Sequence, residues 1–146
     1  MLQTMTATVR SLEGLQVEAE ARGFKFTMDE PEDLGGTNTG MNPVEAVLCA
    51  LGACQVIVIK AFADARRFNV KNVRVELEGD LDPDGFLGKN PDVRNGFSEI
   101  RFTFYLETDE NEERTRKFID FVEKKCPVGD IIANGVPMIR SGIVTE

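Results

Sequence analysis

From Ala46 to Ile59 the chain carries no charged residue, and this run constrains most of what it can fold into. Pro43 suits the first position of a helix, Asn42 the N-cap and Glu45 the first turn, so the run reads as a helix opening at Pro43. Lys60, Asp64, Arg66 and Arg67 bring it out into solvent, with cations near the C-terminal end where the helix dipole favours them. A helix apolar all round has to be buried all round. The uncharged run is shorter than the roughly 20 residues that cross a bilayer. A chain of 146 residues builds one core, and that core has difficulty enclosing such a helix alone. Burial against a second copy solves the problem, so a homodimer is expected.

The flanking sequence alternates with period 2, the pattern of half-buried antiparallel strands. Val9 opens one strand; Leu15, Val17 and Ala19 alternate with polar residues in a second; Phe24 and Phe26 do so in a third. Glu13-Gly14 and Arg22-Gly23 read as the hairpin turns between them. Asp29 to Asn42, with Pro31, Gly35, Gly36 and Gly40, is a loop; it lacks the Lys-Ser/Thr that would make its Gly-Gly pair a phosphate cradle. Val73, Val75 and Leu77 pair with Ile100, Phe102, Phe104 and Leu106 as a long hairpin, interrupted by turns at Asp82–Gly85 and Asn90–Asp92. Asp109 with Glu112 resembles a capping box for a helix that buries Phe118, Phe121 and Val122. Pro127 opens a further helix with Cys126 at its N-cap, Gly135 ends it, and Ile139 to Val144 reads as a last strand. No repeat or linker divides the chain, so one α+β domain over residues 1–146 is expected.

Composition narrows the chemistry. A formal net charge of −8 argues against nucleic acid or an anionic membrane as the main partner. There is no histidine, which removes serine–histidine and cysteine–histidine catalysis and most zinc sites. With three cysteines, no histidine and no C-x-x-C, a metal site is not expected, and no other cofactor is expected either. The first residues, Met1 to Gly14, show no signal-peptide pattern. A cytoplasmic protein without a structural disulfide framework is therefore expected.

The thiols separate by position. Cys49 and Cys54 lie about 140° and about 7.5 Å apart on an ideal helix, outside disulfide geometry, so Cys49 reads as packing. Cys54 shares its helix face with Val47, Ala50, Leu51, Ile57 and Val58, as either a thiol in an apolar pocket or a thiol in a core. Cys126, at a helix N-terminus and after Lys124 and Lys125, is expected to have a lowered pKa suited to exchange chemistry.

Asn42-Pro43-x-Glu45-x-x-Leu48-x-Ala50-Leu51-Gly52-Ala53-Cys54, followed at a distance by Glu123-Lys124-Lys125-Cys126-Pro127-Val128, resembles the OsmC/Ohr family of osmotically inducible and organic-hydroperoxide-resistance proteins. Asp29-Glu30-Pro31, Gly35-Gly36 and the order of elements fit the same pattern. The resemblance implies an OsmC-like fold, with antiparallel sheets wrapped around two central helices in an intertwined homodimer. It implies a thiol peroxidase acting on organic hydroperoxides without metal or haem. Cys54 would be the peroxidatic nucleophile and Cys126 the resolving thiol. The two would close to a disulfide that a dithiol reductant, such as a lipoylated protein, reopens.

Characterised peroxidases of the family carry a glutamate directly after the proline, where this chain has Val44. Glu45, one residue later, is similar to a Pro-x-Glu-Leu-type branch. It stands about 180° round an ideal helix from Cys54, so it would reach the sulfur only through a bend or the partner chain. For the arginine that holds the thiolate in such proteins, Arg10 is the candidate and Arg22 the fallback, an exposed strand arginine being the commoner case for either. Two other classes fit the same residues: a non-enzymatic protein binding a lipid-like ligand in an apolar pocket, and a thiol redox sensor.

Overall fold

A computed structural model describes residues 1–146. The chain forms two compact units, Met1–Cys49 and Ala50–Glu146, whose boundary falls inside a continuous helix and not at a linker.

In the first unit, β1 (Thr8–Ser11), β2 (Val17–Ala21) and β3 (Phe24–Met28) form an antiparallel sheet in the order β1-β2-β3. The register sets Val9 opposite Ala19 and Ala19 opposite Phe26, as the alternation requires. The β2–β3 turn has positive φ at both Arg22 (54°) and Gly23 (87°), the backbone of the two-residue turn that matches strand twist. A single 3-10 turn, Glu32–Leu34, interrupts the following loop.

Helix α1 runs Pro43–Phe62. Its start is a capping box: Asn42 Oδ1 accepts from the Glu45 N–H at 2.8 Å, and Glu45 Oε1 accepts from the Asn42 N–H at 2.9 Å. Because the helix takes in Pro43–Glu45 and Lys60–Phe62, its 20 residues are long and apolar enough to cross a membrane, which the uncharged run alone is not. Within this chain it is buried on one face only, through Leu51, Gly52, Gln55, Val58 and Ile59. Val47 and Ile57 stay exposed, as does Cys49, which the sequence assigns to packing.

The second unit carries a two-stranded antiparallel ribbon, β4 (Asn72–Asp80) and β5 (Glu99–Glu107). Val73 pairs with Leu106, Val75 with Phe104 and Leu77 with Phe102, so one face of the ribbon is apolar. The excursion between the strands holds a short helix, α2 (Pro83–Phe86), capped by the Asp82 side chain. Gly52 lets α1 approach β4 closely: a Cβ there would stand 2.7 Å from Leu77 Cδ1. Helix α3 (Glu112–Lys125) supplies Phe118 and Val122 to a core shared with Val58, Ile59, Ala63 and Phe68. Phe68 and Phe118 stack at 4.3 Å, and Phe62 meets Phe121 edge-on at 5.1 Å.

Two local expectations differ from the structure. Helix α3 is capped by Asn111, whose Oδ1 accepts from the Arg114 N–H at 2.8 Å, and not by Asp109. Asp109 is occupied by the Asn69 side-chain amide at 2.9 Å. After the last helix, α4 (Pro127–Asn134), Ile139 to Val144 form no strand; the segment is exposed, and a strand does not hold without an edge to pair with.

Candidate active site

Cys126 ends α3 and begins α4. Its φ and ψ of −71° and 111° are extended, which is what an N-cap needs, and Pro127 follows at the first helical position, where a missing N–H costs nothing. The sulfur takes the place of the usual cap oxygen and accepts from the Gly129 N–H at 3.3 Å. A Cβ on Gly129 would stand 3.5 Å from Cys126 Sγ and 3.8 Å from Leu51 Cδ1, so the start of α4 lies against α1 one turn before Cys54. Cys126 is 2% exposed, whereas Cys54 is half-buried at the edge of the core cluster.

Cys54 is a neighbour of Cys126 and acts on its thiol. Burial pushes the Cys126 thiol up, and a hydrogen bond with Cys54 and the charge on Cys54 push it further; the N–H groups of Gly129 and Val128 pull it down but do not prevail. This corrects the lowered pKa expected from the N-cap position. The cap is there, but desolvation and a second sulfur outweigh it. Helix geometry separates Cys49 from Cys54; only the family resemblance pairs Cys126 with Cys54, because their proximity depends on how α3, α4 and α1 pack.

The charged candidates have partners of their own. Arg10, on β1, lies 3.7 Å from Glu18 and 3.4 Å from Glu20 across the sheet. Arg22 stands over the Phe24 ring. Glu45 closes the capping box on Asn42.

Sequence reasoning passed over Asp29, which is 2% exposed. Its Oδ1 accepts from the Glu30 N–H at 2.8 Å. Its Oδ2 accepts from the N–H groups and hydroxyls of both Thr37 and Thr39, the hydroxyls at 2.6 and 2.7 Å. The two threonine hydroxyls, helped by the backbone donors, outweigh the opposing effect of burial and leave the carboxyl well below the usual carboxylate range. Gln16 Nε2 donates in turn to both threonine hydroxyls, at 3.2 and 3.0 Å. The network shapes the loop that leads into α1. Its signal in the sequence is an Asp followed by Thr37 and Thr39 in a glycine-rich loop, a pattern too common to single out.

This scaffold has known relatives. The family model of OsmC-like proteins matches residues 36–139. The chain belongs to the OsmC-like protein family. A curated hydroperoxide reductase of Mycoplasma genitalium is 28% identical over 113 residues, 76% of this chain and 74% of that protein. One of Mycoplasma pneumoniae is 26% identical over 122 residues, 82% of this chain and 79% of that protein. Among solved structures, an OsmC-like protein of Mycoplasma pneumoniae aligns with TM-score 0.81 at 24% identity, covering 92% of this chain and 90% of the other. An organic hydroperoxide resistance protein of Legionella pneumophila aligns with TM-score 0.70 at 20% identity, covering 92% and 93%. The fold is thus the expected OsmC-like α+β arrangement, and distant relatives named hydroperoxide reductase suggest a peroxidase-type enzyme.

Proposed function

We propose that this chain is a cysteine-based peroxidase that reduces organic hydroperoxides in oxidative-stress defence, in the reducing cytoplasm, with a dithiol as the second substrate. The observation that carries the reading is that a half-buried Cys54 neighbours a buried Cys126 and acts on its thiol. The Cys54 thiolate attacks the terminal peroxide oxygen, the O–O bond breaks, the alcohol leaves and Cys54 becomes a sulfenic acid. Cys126 attacks that sulfur, water leaves, and a Cys54–Cys126 disulfide forms. A dithiol such as a lipoylated protein reduces it by exchange. Arg10 and Glu45 complete the proposed set of acting residues; each would have to leave its present partner, or share it, to serve the thiolate.

The test is peroxide consumption with a dithiol reductant, comparing cumene hydroperoxide with hydrogen peroxide. Turnover that prefers the organic peroxide and is abolished in Cys54→Ser is the expected result. Absence of turnover in the native protein, with both thiols reactive toward a titrant, defeats the reading and favours a binding protein or a redox sensor.

A further inference from the structure

The first half-reaction releases an alkoxide, which needs a proton, and the chain holds no histidine to give one. What acts most on the Cys126 sulfur is its burial, then Cys54 and the N–H groups of Gly129 and Val128. The sulfur accepts from the Gly129 N–H of α4, which leaves its own hydrogen free to be donated. At 2% exposure it is shut off from bulk water.

We infer that Cys126 is the general acid of peroxide reduction as well as the resolving thiol, its S–H proton passing to the alkoxide that leaves as Cys54 is oxidised. The inference rests on the peroxidase reading above. Cys54 thiolate, hydroperoxide and Cys126 thiol give Cys54 sulfenic acid, alcohol and Cys126 thiolate. The sulfur of Cys54 gains the terminal oxygen and is oxidised by two electrons; the peroxide bond is reduced. The new Cys126 thiolate then attacks the sulfenic sulfur, an S–S bond forms, and hydroxide leaves to be protonated by solvent.

The two roles support each other. An alkoxide is a far stronger base than a thiolate, so the transfer runs downhill even from a thiol whose pKa burial has raised. A raised pKa also keeps Cys126 protonated at neutral pH, until the alkoxide appears. Once the proton has gone, the Gly129 and Val128 N–H groups stabilise the thiolate that must attack. Resolution is therefore armed by the same event that creates the sulfenic acid.

Single-turnover mixing of reduced protein with cumene hydroperoxide, with sulfenate on Cys54 followed by trapping and mass spectrometry, separates the roles. A thiol that only resolves has no part in sulfenate formation. Cys126→Ala is expected to slow that step by at least about tenfold, general acids contributing typically 10²–10⁴. Cys126→Ser, which keeps an O–H donor but forms no disulfide, is expected to recover part of the rate. A solvent deuterium isotope effect on the step is expected in the native protein and not in Cys126→Ala. Sulfenate formation at the native rate in Cys126→Ala overturns the inference, and so does equal slowing in the alanine and serine variants. A native protein that forms no sulfenate on Cys54 defeats the peroxidase reading instead.

Discussion

At the scale of single residues, the buried carboxylate of Asp29 is fully satisfied and the buried thiol of Cys126 is held between opposing effects, while the buried Gln55 Oε1 has no hydrogen-bond partner. Asp29 is a carboxylate out of water whose five donors all prefer it charged. Its pKa is depressed in the folded protein, so its contribution to stability is full above the unfolded value of about 4 and is lost as pH falls from there toward the folded value. Asp29→Asn, which cannot accept on both sides, is expected to lower the denaturant midpoint at pH 7 and to flatten the fall in stability below about pH 4. Chemical denaturation across that range checks it; an unchanged midpoint at pH 7 would mean the loop holds without the carboxylate. Little of this was legible beforehand. An Asp in a loop states nothing about its burial, and the Asp29 network is made by backbone turns that place Thr37 and Thr39 around it. Cys126 shows the complementary limit: the N-cap position was readable from Pro127, but the direction of its pKa was not, because that depends on burial and on a sulfur far away in sequence.

At the scale of elements, the rules that worked were those whose physics is local. The Arg22-Gly23 turn, the alternation in β4 and β5, and the start of α1 at Pro43 all follow from backbone preferences or period. The α3 cap was misplaced by two residues: Asp109 accepts from the Asn69 side chain, and Asn111 caps the helix instead. The α1 capping box is testable on its own terms. Asn42→Ala is expected to cost about 1 kcal/mol of stability, the usual value for a lost N-cap. Glu45→Gln should leave the unfolding midpoint unchanged, because the amide oxygen can still accept from the Asn42 N–H. Turnover of that variant, measured alongside, then reads the carboxylate's charge separately from its capping role.

At the scale of the whole molecule, α1 presents a problem of burial. Its inward residues pack on the β4–β5 ribbon and α3, but Ile57 is 64% exposed, with Val47 also in solvent. The C-terminal segment adds Met138, Ile139, Ile143 and Val144, with Ile139 84% exposed. Scattered apolar residues need no explanation, but an apolar helix face together with an exposed apolar segment does. We propose that a second copy covers both, the helix faces packing together and Ile139–Val144 pairing with a sheet edge of the partner. The missing final strand would then be an element that only the dimer completes. An obligate interface buries on the order of 2,000 Å² or more, which is within reach of a 20-residue helix plus such a segment. Light scattering of the native protein should give twice the 16.2 kDa chain mass. Ile57→Asp sets a carboxylate at the proposed helix seam, where burial without a partner is unfavourable, and it should shift the population toward monomer at micromolar concentration. Shortening the chain after Val136 tests the segment independently. If Ile57→Asp stays fully dimeric while the shortened chain dissociates, the strand and not the helix is the seam. A native protein that runs as a monomer would leave the exposed face of α1 without this explanation.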